Sequence, residues 1–202
     1  MLALQGDVRE HLAAFRWAGA ETLPVRTVEE VLGVHALALP GGESTTMSRL
    51  IRVFGLEGAL RRRLADGMPT FSTCAGTILL SRKILDGVDG QLALGTLDLH
   101  TRRNGYGRQL ESFECDLELP AAGDGRFRGV FIRAPVIESC GPGVEILAVH
   151  EGRPVAVRQG RHLSFTFHPE MTGDLRLQRL FVESVGEMVG EECPLPSEGN
   201  AA

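Results

Sequence analysis

With 202 residues and 43% hydrophobic content, the chain can bury a substantial core and suits one α/β domain rather than two. Its formal net charge of -5 excludes a general nucleic-acid surface, which needs clustered Lys and Arg; the one basic run, Arg61-Arg62-Arg63, reads as the solvated face of a helix. No apolar stretch approaches the roughly 18–20 residues of a bilayer span, and no basic segment followed by an apolar one opens the chain, so a soluble, cytoplasmic protein with no membrane association is expected.

In chain order, short apolar runs alternate with helical patterns: Leu2 to Leu4, Val8 to Ala18, Glu21 to Val25, Val28 to Leu32 and Ala36 to Leu39. That is the βαβ rhythm of a parallel sheet. The first run has few residues before its turn, whereas strands buried on both faces usually run longer. The first strand is therefore expected to be shortened, by a misassigned start codon or a trimmed chain. After Gly42 the pattern predicts helices over 44–54 and 56–65, a strand over 68–72 and a helix over 75–83. From Gly95 to Gln159 the runs shorten and carry turn signals, which predicts an antiparallel extension of the sheet. A last buried strand over 163–167 and a closing helix over 175–189 follow. The tail 191–202, with Pro, Ser, Gly and Asn, is expected to be disordered, leaving 1–190 as the domain. The expected fold class is three-layer α/β: a mostly parallel sheet flanked by helices, with an antiparallel extension.

Three distant segments carry the chemistry. Cys74 follows a short strand and precedes a helix, with Ala75 and Gly76 after it, the layout of a nucleophile elbow; a helix N-terminus favours the thiolate, the reactive form. Pro40-Gly41-Gly42 ends another strand, where backbone free of side chains can approach a ligand. The N–H groups of Gly42 and Ala75 could hold the oxyanion formed when a thiolate attacks a carboxamide. His168 and Glu170 stand two apart across Pro169 at the end of an apolar strand, so both can project to one side, the acid orienting the base. Alone, Cys74 would read as a buried core cysteine, the glycines as a turn and Glu170 as a surface carboxylate at a helix start. Their fit to one mechanism favours a catalytic triad.

His11, His35, His100, His150 and His162 have no partner by spacing and read as surface or strand residues, as do Cys115, Cys140 and Cys193. The four cysteines form no Cys-x-x-Cys pair and no metal-type spacing with histidine, so neither a zinc site nor a disulfide framework is indicated. Arg103-Asn104 and Phe131 to Pro135 stand out because arginine can pair with a substrate carboxylate by a forked contact.

The chain closely resembles the class I, triad-type glutamine amidotransferases, and within them the glutaminase subunits of pyridoxal 5'-phosphate synthase, from Leu2 to about Val189. The segments that carry this are Leu4 to His11 (LQGDVREH), Leu39 to Met47 (LPGGESTTM), Arg103 to Gln109 (RNGYGRQ) and Phe131 to Pro135 (FIRAP). The resemblance implies a flavodoxin-like fold, with Cys74 as nucleophile and His168 and Glu170 completing the triad. It implies Gly42, Glu43, Ser44, Arg103, Ile132 and Arg133 as the residues that hold L-glutamine. It further implies ammonia transfer to a separate (β/α)8 synthase subunit, activation by docking to it, and no metal or organic cofactor. Ser72 departs from the glycine usual at that place, so the elbow must accept a side chain, and the region near Gln5 is one the family uses for partner contact. An amidotransferase serving another acceptor, a catalytically silent regulatory subunit and a cysteine peptidase are weaker readings.

Overall fold

The structure is a computed structural model and describes residues 1–103, 105 and 112–192. Asn104, residues 106–109 of the motif that begins at Arg103, Cys193 and most of the tail thus lie outside the described residues. In chain order the first half contains α1 (Val8–Trp17), α2 (Val28–Gly33), β1 (Leu37–Leu39), α3 (Ser44–Val53), α4 (Glu57–Ala65), β2 (Thr70–Thr73) and α5 (Ala75–Leu80). The second half contains β3 (Ser81–Ile84), β4 (Leu97–Arg102), β5 (Ser112–Glu118), β6 (Arg126–Ile132), β7 (Val136–Cys140), β8 (Glu145–His150), β9 (Arg153–Gln159), β10 (His162–Phe165) and α6 (Arg176–Glu192).

The central sheet runs β1-β2-β10-β9-β8. β1, β2 and β10 are parallel, while β9 and β8 join antiparallel. β1 and β2 are buried at every position, as parallel strands covered on both faces must be. Beyond β1 the expected first strand shrinks to a single bridge between Leu2 and Val25. Leu2 N–H donates to Ala38 O at 2.9 Å and Ala3 N–H to Val25 O at 2.8 Å, but Gly6 at φ +99° then turns the chain away.

The antiparallel part differs from a simple extension. Only β9 and β8 extend the central sheet; β3-β4-β7 and β5-β6 form two further sheets. The helix expected over 75–83 ends at Leu80. Ser81 adopts extended backbone at φ -62°, ψ 151° and donates its hydroxyl to Thr77 O at 2.7 Å, a local bond that competes with helix propagation. Residues 81–84 pair with β4 instead.

Two apolar clusters flank the central sheet and make the three layers. One gathers Val31 from α2, Met47 and Ile51 from α3, Leu60 from α4 and Leu79 from α5 against Leu37 and Leu39. The other gathers Phe15 from α1 and Leu177 and Phe181 from α6 against Ala38, Phe71 and Phe165, together with Phe127 and Phe131 from β6. The alternation of Leu37, Ala38 and Leu39 between the clusters is the two-residue period of a strand. Among the described residues no helix is long and apolar enough to cross a membrane.

Candidate active site

Cys74 sits where β2 ends and α5 begins, with φ +45° and ψ -103°. A side-chain-bearing residue held outside the common backbone regions stores about 1–3 kcal/mol and persists only where its surroundings over-determine it. Here the Cys74 N–H donates to Phe165 O at 2.9 Å, tying the turn to β10. Gly76 lies so close to Leu39 that an added Cβ would meet its carbonyl oxygen, so α5 packs on β1 where a side chain cannot fit. Ser72 is fully buried, and its hydroxyl starts a chain: Ser72 Oγ to Ser164 Oγ at 2.8 Å, Ser164 Oγ to Thr77 Oγ1 at 2.9 Å, Thr77 Oγ1 to Phe165 O at 2.7 Å. The elbow accepts the side chain at position 72 through that chain of hydroxyls.

β10 ends at Phe165, two residues short of the expected strand, and His168 and Glu170 are placed by a 3-10 turn over Pro169–Met171. His168 N–H donates to Val130 O at 2.8 Å, anchoring the turn to β6. The imidazole Nδ1 lies 2.7 Å from Glu170 Oε1 and 3.3 Å from Asp7 Oδ2. His168 Nε2 is buried without a hydrogen-bond partner among the described residues, which leaves it for the sulfur of Cys74 or for substrate. Burial by itself would lower the histidine's pKa, but Asp7, Cys74 and Glu170 around the ring outweigh it and raise the pKa far above the ordinary 6.5. For Glu170, burial would raise the pKa, yet the charges and hydrogen bonds of His11 and His168 hold it well below the ordinary 4.5. Both shifts favour imidazolium against carboxylate in this pair.

His11 overturns its expected place on the surface or in a strand. It is fully buried on α1, with Nε2 at 3.0 Å from Thr73 Oγ1 and 3.3 Å from Glu170 Oε1. His100, His150 and His162 lie on strands, and His35 is exposed. Cys115 and Cys140 are free thiols on β5 and β7. The basic run is not all solvated: Arg63 donates to Val34 O at 2.7 Å, closing the C-terminal end of α2.

A cavity of about 220 Å³ opens beside Cys74 and His168, lined also by Gly42, Glu43, Ser44, Arg103, Ile132 and Arg133. All six residues expected to hold the substrate are thus brought together, from the β1–α3 turn, the segment after β4 and the end of β6. Gln5, Asp7 and Ile78 complete the wall, and no spacing in the sequence had marked Asp7 or Ile78. Gln5 Oε1 accepts from Glu43 N–H at 2.8 Å, and an added Cβ on Gly42, at φ +147°, would strike that same oxygen. Gly41 is similarly constrained, because its Cβ would run into the His168 ring and sit 2.8 Å from Asp7 Oδ2. Arg103 Nη2 donates to Glu43 Oε1 at 3.2 Å, so the cavity carries both signs of charge. Ile132 O lies 4.0 Å from Cys74 Sγ, and Arg133 holds φ +44°. Ala75, the first residue of α5, has an N–H with no acceptor inside its own helix. Ligand atoms of Asp7, His168 and Glu170 lie within 4.8 Å of one another, but these atoms already serve as each other's partners.

A cysteine on a strained strand-to-helix turn, a buried histidine–carboxylate pair and a small cavity of mixed charge form the arrangement that thiol-based acyl-transfer chemistry requires, on an α/β sheet. A sequence profile of the SNO glutamine amidotransferase family matches residues 1–187, and the chain belongs to that family. It is 57% identical over 188 residues to a pyridoxal 5'-phosphate synthase subunit PdxT of Mycolicibacterium vanbaalenii, covering 92% of this chain and 96% of that protein. Against a pyridoxal 5'-phosphate synthase subunit PdxT of Acidothermus cellulolyticus it is 54% identical over 190 residues, 92% of each. A crystal structure of a glutamine amidotransferase superposes with a TM-score of 0.85 at 49% identity, over 92% of this chain and 97% of the other. The glutaminase domain of Trypanosoma brucei CTPS, at 14% identity, a TM-score of 0.62 and coverage of 89% and 88%, shares the fold.

Proposed function

We propose that this chain is the glutaminase subunit of a pyridoxal 5'-phosphate synthase. It hydrolyses L-glutamine to L-glutamate and ammonia, and the ammonia supplies pyridoxal 5'-phosphate synthesis on a partner (β/α)8 subunit in the cytoplasm. The domain is residues 1–190. The observation that carries the chemistry is the bond of 2.7 Å between His168 Nδ1 and Glu170 Oε1 beside the strained turn of Cys74, in a chain 57% identical to a PdxT subunit.

The residues divide the work as follows. Glu43 and Arg103 meet the α-ammonium and α-carboxylate of glutamine, with Ser44, Ile132 and Arg133 around them. The Cys74 sulfur attacks the side-chain carbonyl carbon, and the oxyanion is received by the N–H groups of Gly42 and Ala75, a preorganised pair of donors. His168, already protonated, gives its proton to the departing nitrogen, and the C–N bond breaks to release ammonia and leave a glutamyl thioester. His168 then takes a proton from water, whose oxygen attacks the thioester; glutamate leaves and the thiolate returns. Glu170 keeps the imidazole in register through both halves. These steps use only protein groups and water.

Glutamate release from L-glutamine, measured with and without the cognate synthase subunit, tests the reading, with Cys74→Ala as control. Release that rises with the synthase and vanishes in Cys74→Ala is expected. Turnover in Cys74→Ala near that of the unmodified chain would overturn the nucleophile assignment, and no release in either condition would overturn the activity.

A further inference from the structure

His11 is a buried polar group that the proposed reaction does not use. Its ring lies wholly inside the protein, stacked at 6.3 Å on Phe15 and edge-on at 6.2 Å to Phe71, an apolar setting in which an imidazole is costly unless its nitrogens are occupied. Nε2 is the occupied one. It reaches Thr73 Oγ1 at 3.0 Å, in the residue before the nucleophile, and Glu170 Oε1 at 3.3 Å. Oε1 is also the oxygen that meets His168 Nδ1 at 2.7 Å, whereas Glu170 Oε2 has no partner among the described residues. A carboxylate oxygen accepts and does not donate, so the 3.3 Å approach of His11 Nε2 is favourable in the form of the ring that carries a hydrogen on Nε2. One oxygen is thus held between two imidazoles, and the carboxylate has no second bond to fix its rotation.

We propose that His11 is the positioning residue of the triad: its Nε2–H fixes Glu170 Oε1 on His168, and through Glu170 keeps the imidazolium aimed at Cys74. The inference rests on Cys74, His168 and Glu170 forming the triad. Because α1 starts directly after Gln5 and Asp7, which line the cavity, the same contact couples the seating of α1 to the orientation of the catalytic base.

The test uses a readout that needs no glutamine turnover. Alkylation of Cys74 by iodoacetamide, followed across pH on the Cys74 peptide by mass spectrometry, reports how well the imidazolium supports the thiolate. His11→Leu keeps bulk and removes the donor; His11→Gln returns an N–H near the place of Nε2. The expected result is an alkylation midpoint raised by about one pH unit or more in His11→Leu and restored in His11→Gln. With the synthase subunit present, kcat of His11→Leu is expected to fall about 10–100-fold with KM little changed, the usual size of an orienting-partner effect. An unmoved midpoint in His11→Leu, or an equal shift in both variants, would overturn the proposal. If His11→Leu fails to fold, His11→Asn, too short to reach Oε1, makes the same comparison against His11→Gln. An unmodified chain that alkylates with a low midpoint but releases no glutamate would count against the glutaminase activity and leave the alkylation comparison to decide the role of His11.

Discussion

Gly41 shows how little room surrounds the His168 ring. Its backbone is ordinary, and what forbids a side chain is the His168 ring, which a Cβ would strike, with Asp7 Oδ2 just beyond. Gly41→Ala must therefore displace that ring; with His168 in its proposed role, a misplacement near 1 Å costs on the order of 100-fold in rate, and glutamate release is expected to drop by at least that much while the far-ultraviolet circular dichroism stays unchanged. Glu170 allows a second prediction, about pH. Its folded pKa is depressed below the ordinary 4.5, so its contribution to stability is complete above 4.5 and fades as the pH falls. The pKa of His168 is raised above the ordinary 6.5, so its contribution is complete below 6.5 and fades as the pH climbs. Glu170→Gln should cost about 3–5 kcal/mol, the usual price of breaking a buried pair. In urea titrations that difference should be largest between pH 4.5 and 6.5 and shrink on either side. The cysteine elbow and the His-x-Glu pair were legible because each is a local pattern. His11 was not, since its partners lie 62 and 159 positions away; the available signal was its place three and four residues before Ala14 and Phe15 on the buried stripe of one helix.

Among the elements, β2, β10 and α5 are joined under Cys74 by hydroxyls rather than by apolar packing alone. Ser72, Ser164 and Thr77 are each fully buried, and each hydroxyl has a neighbour to receive its hydrogen. Replacing Ser72 by the glycine usual in the resembled family should not help this chain. It removes the partner of Ser164, worth about 1 kcal/mol, and loosens a strand, worth roughly 0.5–1 kcal/mol. Ser72→Gly is expected to lower the unfolding free energy by about 1–2 kcal/mol in denaturant titrations. The boundaries that escaped the sequence fail for a related reason. Residues 75–80 are apolar but for Thr77, and Arg82 and Lys83 suit a helix end; the Ser81 hydroxyl turned back on Thr77 O and the pairing of 81–84 with β4 convert that end to strand. The turn at Pro169–Met171 was likewise hidden, because His168 is held by a bond to β6 that no local spacing reveals.

For the molecule as a whole, the side of the sheet that carries α1 and α6 depends on Phe71. Its ring lies 5.1 Å from Phe15, 4.9 Å from Phe165 and 5.6 Å from Phe181, with His11 at 6.2 Å. Phe71→Ala should cost about 3–5 kcal/mol, a large share of the total stability of such a domain, and would be seen as a large fall in the thermal unfolding midpoint. The alternation of elements in the first half made β1, β2 and the helices between them legible, but not the reduction of Leu2 to Leu4 and Glu21 to Val25 to a single bridge. The division of the second half into three sheets was not, because antiparallel runs of similar length do not announce which edge they join. The mixed charge of the small cavity has a consequence for the rest of the cell. In the proposed reaction Glu43 and Arg103, paired with each other at 3.2 Å, meet a free amino acid with both termini charged, whereas a glutamine inside a polypeptide brings neither charge and forgoes both contacts, a difference that sites built on such contacts turn into discrimination between substrates. The glutamine side chains of other proteins are therefore expected to be safe from this thiol, and incubating the active complex with a glutamine-containing peptide blocked at both ends should release no ammonia.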